Sequence, residues 1–234
     1  MGFPVYWMIT TSFKPKEDIL STTPTLIPHS FSLSNYTQAV TKEGFMQALL
    51  NSLIVVFFTV VVSIFVALFA SIAVARMKFR GKQIYIASIL IVQMLPLSAL
   101  LIPLYLLLSK LQLTDKLGGV VLTYIAFVLP FVIWTLRGFL INIPVELEEA
   151  GLVDGCTRPQ VYRKILFPLM APGLVATSVF AFIQAWNEFL LAYILLSSQD
   201  KATMPIWWSC VDLHCVRSSI CHLDTTWVLD QYSC

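Results

Sequence analysis

Charge is scarce in this 234-residue sequence. Asp, Glu, Lys and Arg make up 12% of it and hydrophobic residues 58%, whereas a soluble domain carries roughly 25% charge. So few charges cannot coat a water-facing globule of this size, which excludes a soluble enzyme. The run of apolar residues equally excludes a disordered tail. The formal net charge of +2 is too small to mark a nucleic-acid surface. Met1-Gly2-Phe3-Pro4 opens without a positive n-region or a small-residue cleavage site, so no cleavable signal peptide is legible. The long apolar runs hold no His, no Cys and no paired carboxylates, which disfavours intramembrane catalysis. No Gly-x4-Gly-Lys-Ser/Thr phosphate loop occurs, so nucleotide hydrolysis belongs to another polypeptide.

What the sequence does have is long apolar runs separated by short basic blocks. They predict an all-α integral membrane protein, a helical transmembrane bundle of four complete spans plus a clipped first span. Residues 1–13 are apolar but reach only about 20 Å, against the ~30 Å of a hydrocarbon core. They read as the outer end of a span whose beginning is absent. A polar stretch from Lys14 to about Gly44 follows, broken by Pro15, Pro24 and Pro28. Complete spans are expected at about 49–75, 84–108, 119–136 and 169–196. Pro96, Pro103 and Pro130 imply kinks or protein-lined helices in two of them. Arg76, Lys78, Arg80 and Lys82 follow one span end, and Arg137, Arg158, Arg163 and Lys164 lie in a later loop. Both blocks are expected on the cytoplasmic side.

The loop 137–168 carries the densest local signals. Pro144 suits a first helical turn, Glu146, Glu148 and Glu149 complement the helix dipole, and Gly155 suits a left-handed stop. Thr157 can cap a second short helix ending near Pro168. A cytoplasmic helix-turn-helix results, whose small residues Ala150 and Gly151 let another backbone approach. The plainer alternative is a solvated, acid-rich connector.

Within the last span, Gln184, Asn187 and Glu188 are polar residues in an apolar run, which is costly and points to a bundle interior or a wet cavity. Asn187 and Glu188 are expected about 13 Å inside the outer surface. Gln93 stands in the same position in its own span. Sugar hydroxyls need such donors and acceptors, and helix–helix hydrogen bonding needs them too.

From Thr203 the pattern changes. Four of the five cysteines, with His214 and His222, crowd the tail without any Cys-x2-Cys pair, so a metal centre is not expected. The division expected is a transmembrane domain over 1–205 and an aberrant Cys/Trp-rich tail over 206–234. That tail reads as translation out of register.

The run Glu149-Ala150-Gly151, three residues, Gly155, nine residues, Ile165, one residue, Phe167-Pro168 resembles the EAA loop of ABC-importer permease subunits. Gly151 stands where alanine is usual and Phe167 where leucine is. Further segments resemble the carbohydrate-uptake branch, in particular the maltose-type G permease. They include Asn51-Ser52-Leu53, Ala75-Arg76, Phe79-Arg80-Gly81 and Trp186-Asn187-Glu188-Phe189. The resemblance covers roughly residues 3–205.

The resemblance implies a multi-pass permease of the bacterial plasma (inner) membrane, working with a second permease subunit, two ATP-binding cassette ATPase subunits and an extracytoplasmic solute-binding protein. It implies no cofactor of the chain's own, since ATP is hydrolysed on the partner. Its substrate is a sugar or oligosaccharide. The coupling set would be Glu149, Ala150, Gly151, Asp154, Gly155, Ile165 and Pro168, with Glu149 making the polar contact to the ATPase. Gln184, Asn187, Glu188 and Gln93 would face the pathway. The alternatives left open are a truncated or frameshifted, transport-inactive remnant and an uncoupled membrane scaffold or channel.

Overall fold

A computed structural model describes residues 3–15, 31–77 and 79–210. The helices are α1 (Phe3–Ser12), α2 (Ser34–Thr41), α3 (Phe45–Arg76), α4 (Lys82–Met94), α5 (Leu97–Lys110) and α6 (Leu117–Ile141). They continue with α7 (Glu146–Val153), α8 (Arg158–Val161), a wide π-type turn (Tyr162–Leu166), α9 (Phe167–Asn187) and α10 (Leu190–Leu195). A 3-10 turn at Gln199–Lys201 follows, and the chain is helical again over 204–210. No strand occurs among the described residues.

The spine of the bundle is α3 against α6, with α9 packed on both. One face of α3 explains why. Ala48, Ser52, Val55, Thr59, Ser63, Ala67, Ser71 and Val74 recur every three or four residues and are all buried. Small and hydroxyl side chains let helix backbones approach in an apolar solvent, where the hydrophobic effect between helices is weak. The opposite face carries Phe57, Phe58, Phe65 and Phe69, exposed as lipid-facing or partner-facing aromatics are. The inner layer continues through Val120, Tyr124, Val128, Val132 and Leu136 of α6. Met170, Leu174 and Ala181 of α9 complete it.

Three helices are long and apolar enough to cross a membrane: Phe45–Arg76, Leu117–Ile141 and the continuous Arg158–Asn187. Two expected spans differ from this. The run at 84–108 is not one kinked helix; α4 and α5 meet at a 100° bend around Leu95 and Pro96. Proline at 96 removes a donor and pushes residue 95 into the extended conformation it shows. The run at 169–196 is also interrupted. α9 stops at Asn187, Glu188 is extended, and α10 is a separate helix.

The second helix of the loop does not end near Pro168 either. α8 continues through the wide turn into α9 as one 30-residue helix. The N–H of Phe167 reaches Tyr162 O, one residue further than in an α-helix. That widening accommodates a proline ring that would otherwise collide with the preceding turn.

The boundary expected at residue 205 falls inside a packed segment. Ile206 and Trp207 are buried, Trp207 lies edge-on to Phe45 at 5.3 Å, and its ring N–H donates to Glu43 O at 3.1 Å. Beyond Cys210 the Cys- and His-bearing tail lies outside the described residues, as do residues 1–2, 16–30 and Lys78.

Candidate functional site

Three features converge at the end of the bundle that carries the basic blocks. α7 ends in a complete Schellman turn: Gly155 N–H donates to Leu152 O at 3.1 Å and Cys156 N–H to Gly151 O at 3.0 Å. Gly155 sits at φ +82°, a conformation side-chain-bearing residues adopt only with strain. Thr157 then starts α8, its backbone N–H donating to the Gln160 side chain at 2.8 Å. α7 and α8 therefore form the hairpin that the sequence pattern predicts.

The side chains of the expected coupling set divide between two faces. Glu149, Ala150, Asp154 and Gly155 are exposed. Gly151 is buried, and a Cβ there would come within 2.6 Å of Ile165 Cδ1 and 3.2 Å of Val161 Cγ2. Its missing side chain seats the hairpin on itself, so Gly151 and Ile165 make the scaffold under Glu149 and Ala150. Pro168 opens α9.

Two residues outside the expected set pin this hairpin to the bundle. Arg76, the last residue of α3, places its Nε 2.6 Å from Glu148 Oε1, with only 11% and 12% of the two side chains exposed. The same guanidinium donates through Nη2 to Ile143 O at 2.8 Å. In the sequence Arg76 is legible as part of an orientation signal and of the family resemblance, and Glu148 as one of three acids in a first turn. Their pairing over 72 positions has no local signature. A groove of about 660 Å³ opens beside them, lined by Lys82, Glu149, Leu152, Arg158 and Tyr162.

The expected pathway residues also separate. Gln93, Gln184 and Glu188 line one cavity of about 350 Å³ together with Tyr124, Phe127 and Phe131. Gln93 gets there because α4 ends just before the bend, and the aromatics come from one face of α6. Asn187 lies elsewhere: its amide donates to Ile183 O of its own helix at 2.8 Å, and it borders a different pocket with Trp186 and Trp208. Glu188 is not a carboxylate in mid-span. Its Oε1 accepts from Leu191 N–H at 3.1 Å, capping α10, and its carbonyl accepts from the Tyr124 hydroxyl at 2.8 Å. These two bonds hold the helix break open and direct Glu188 to the cavity wall. The aromatic lining has a sequence signal of its own, the spacing of Tyr124, Phe127 and Phe131 around Pro130.

At the other end of the bundle, hydrogen bonds tie down the segment after α10. Asp115 accepts from the N–H groups of Ser197 and Ser198 at 3.1 and 3.0 Å, from the Ser198 hydroxyl at 2.6 Å and from Lys201 Nζ at 2.8 Å. The Lys201 ammonium, then the Ser198 bonds, hold its carboxyl well below the usual carboxylate range. Asp115 in turn raises Lys201. Asn51 of α3 donates to Asp200 O at 2.9 Å and Ala202 O at 3.0 Å, and Ser52 Oγ accepts from Met204 N–H at 2.7 Å.

Comparison with known proteins agrees with this architecture. Residues 63–213 match the family described as the binding-protein-dependent transport system inner membrane component. The chain is 41% identical over 205 residues to the diacetylchitobiose uptake system permease protein DasC of Streptomyces coelicolor, covering 88% of this chain and 74% of that one. It is 37% identical over 203 residues to the trehalose transport system permease protein SugB of Mycobacterium tuberculosis, covering 87% and 73%. Its fold matches a chain in the crystal structure of a bacterial ABC transporter involved in the import of the acidic polysaccharide alginate. The TM-score is 0.75 at 22% identity, over 96% of this chain and 76% of that one.

Proposed function

This chain belongs to the binding-protein-dependent transport system inner membrane components, and from that membership we propose that it is a sugar permease of the bacterial plasma membrane. It forms one half of a translocation pathway with a second permease subunit. A pair of ATP-binding cassette subunits sits at the basic, cytoplasmic end, and a solute-binding protein delivers substrate to the opposite face. The chain is not itself an enzyme and needs no cofactor, because ATP is bound and hydrolysed on the partner. The observation that carries this reading is the hairpin α7–α8, rigidly capped and pinned, with Glu149 and Ala150 turned outward on a seat built by Gly151.

The substrate class rests on the relatives, whose names specify diacetylchitobiose uptake and trehalose transport, and on the cavity chemistry. Gln93 and Gln184 offer amide donors and acceptors to sugar hydroxyls, while Tyr124, Phe127 and Phe131 offer ring faces to the apolar side of a pyranose. Coupling is mechanical: closure of the ATPase pair moves the hairpin, and the hairpin moves the spans.

The test is capture of the cognate ATPase subunits by the chain reconstituted with its permease partner. Wild type is expected to retain them, and Glu149→Lys to lose most of that capture while keeping normal accumulation in the membrane. Equal capture by both would sink the assignment of Glu149, and no capture by wild type would sink the importer reading.

A further inference from the structure

The pair Arg76–Glu148 is an unusual use of charge in a chain that has so little. Both groups are nearly withdrawn from water, and desolvating two charges offsets most of what their attraction supplies. An apolar pair of similar volume would hold the same surfaces together without that cost. What an apolar contact lacks is a fixed point: it tolerates sliding, while a charge pair at 2.6 Å together with the directional bond from Arg76 Nη2 to the Ile143 carbonyl holds the hairpin in one place.

The guanidinium is used twice. Nε faces the Glu148 carboxylate on the hairpin, and Nη2 donates to the Ile143 carbonyl in the segment that leads out of α6. The connection between α6 and α7 is therefore gripped on both sides by the last residue of α3. A second, independent clasp sits at the far end of the same helix. Asn51, buried to 3% exposure, holds the carbonyls of Asp200 and Ala202, and the neighbouring Ser52 holds the N–H of Met204. Residues 51 and 76 are separated by an uninterrupted helix, about 38 Å of rise at 1.5 Å per residue. That helix contains no proline or glycine to bend it.

We infer that α3 is the rod by which motion of the coupling hairpin reaches the opposite face, with Arg76 as the positioning residue that locks hairpin to rod and Asn51 as the residue that locks rod to the 200–204 segment. The inference rests on the importer reading above. Movement of α7 is passed to α3 through the ion pair, and α3 shifts the strap that follows α10. α3 does not itself line the cavity, but its Ser52, Val55 and Val56 lie against Tyr124, Ala185 and Glu188, which do, so a shift of α3 relative to α5 bears on that wall while the hairpin stays rigid.

The experiment uses the whole importer in nanodiscs, with the five cysteines of this chain replaced by serine and nitroxide labels at Met46 and Ile102. Both positions are exposed, on the far end of α3 and on α5. The probe is ATP with orthovanadate, which traps the ATPase pair closed. In wild type the Met46–Ile102 distance is expected to shift on trapping. Arg76→Met should abolish the shift while vanadate-trapped nucleotide stays at the wild-type level. Because that variant strands the Glu148 charge and can misfold, the double variant Arg76→Met with Glu148→Leu is the decisive one. It leaves no charge buried at this contact, and it too should trap nucleotide without the shift.

A double variant that shifts as wild type does would overturn the inference and leave the pair as fold cement. So would a wild-type complex that traps nucleotide with no shift at all. Failure of wild type to bind the ATPase pair is a different result, since it removes the importer reading itself.

Discussion

The two ends of this bundle are fastened by opposite means. At the basic end, a hairpin is built from signals within about twenty residues of one another, namely a Schellman turn, a left-handed glycine, a helix start at Thr157 and a glycine seat. Among the described residues, one long-range side-chain clasp, Arg76 to Glu148 and Ile143, ties it to α3, and α8 runs on into α9. At the opposite end there is almost no local code. The segment 195–207 is held by Asp115, Asn51, Ser52 and the Glu43 carbonyl, partners 82 to 164 positions away. The hairpin is made rigid by its own sequence and is fastened to α3 through a single residue, Arg76. A piece that must stay in register with several helices is attached at many points.

The comparison can be broken most severely at Asn51. Asn51→Leu removes both donors from the Asp200 and Ala202 carbonyls, leaving the buried Ala202 acceptor unmatched, and should destabilise the opposite end by about 2–3 kcal/mol. A lowered Tm in detergent, with ATPase capture unchanged, is the expected result. A fall in capture equal to the fall in Tm would mean the two ends are not separately fastened.

A smaller effect is expected at Gly151. Gly151→Leu drives a side chain into Ile165 and Val161, overpacking that costs about 1–3 kcal/mol. Because the strain sits under Glu149 and Ala150, ATPase capture should fall while hydrogen exchange at Ser197 and Ser198 stays as in wild type. Ile165→Ala in the same chain should restore part of the capture by emptying the space the leucine needs.

The smallest effect sharpens the comparison through pH. Asp115 is depressed by Lys201 and Ser198, so the stability it contributes is present above the ordinary carboxylate range and is lost only as pH falls through its depressed value. Lys201 is raised, so its share is fully present below the ordinary lysine range and is lost as pH rises through the raised value. Between about pH 5 and pH 8, far from both, protection of the Ser197 and Ser198 amides should be flat after correction for intrinsic rates. Asp115→Asn should lower that protection uniformly across the window. A slope within it in the wild-type protein would show that another group controls the strap.

Much of the hairpin α7–α8 is legible because its causes are local. Gly155 requires a left-handed backbone, and the acids of α7 suit a helix start, whatever packs around them. The division of labour within it was not legible: Gly151 reads as a place for a partner's backbone until Ile165 and Val161 are seen beneath it. The helix break at Glu188 was missed for a related reason. Residues 189–196 are as apolar as those before them, with no proline or glycine, so composition continues the span. The stop comes from Tyr124, which takes the Glu188 carbonyl, and from the Glu188 carboxylate turning back on Leu191. The end of the helix starting at Thr157 was misjudged at Pro168 because a π-type turn, invisible to propensity, carries the helix past the proline.

By itself the sequence determined the solvent this protein lives in, where its apolar runs lie, which loops carry the basic charge, and the shape of the hairpin α7–α8. Those properties depend on transfer free energies and backbone preferences that each residue brings with it wherever it sits. The tertiary structure alone decided which of three glutamates meets Arg76, that Gln93 and Gln184 share a cavity with Glu188 while Asn187 does not, and that α3 is clasped at both ends. Pairings between residues seventy or more positions apart are selected by how helices cross, and in a bundle of uniformly apolar runs many crossings satisfy the same pattern.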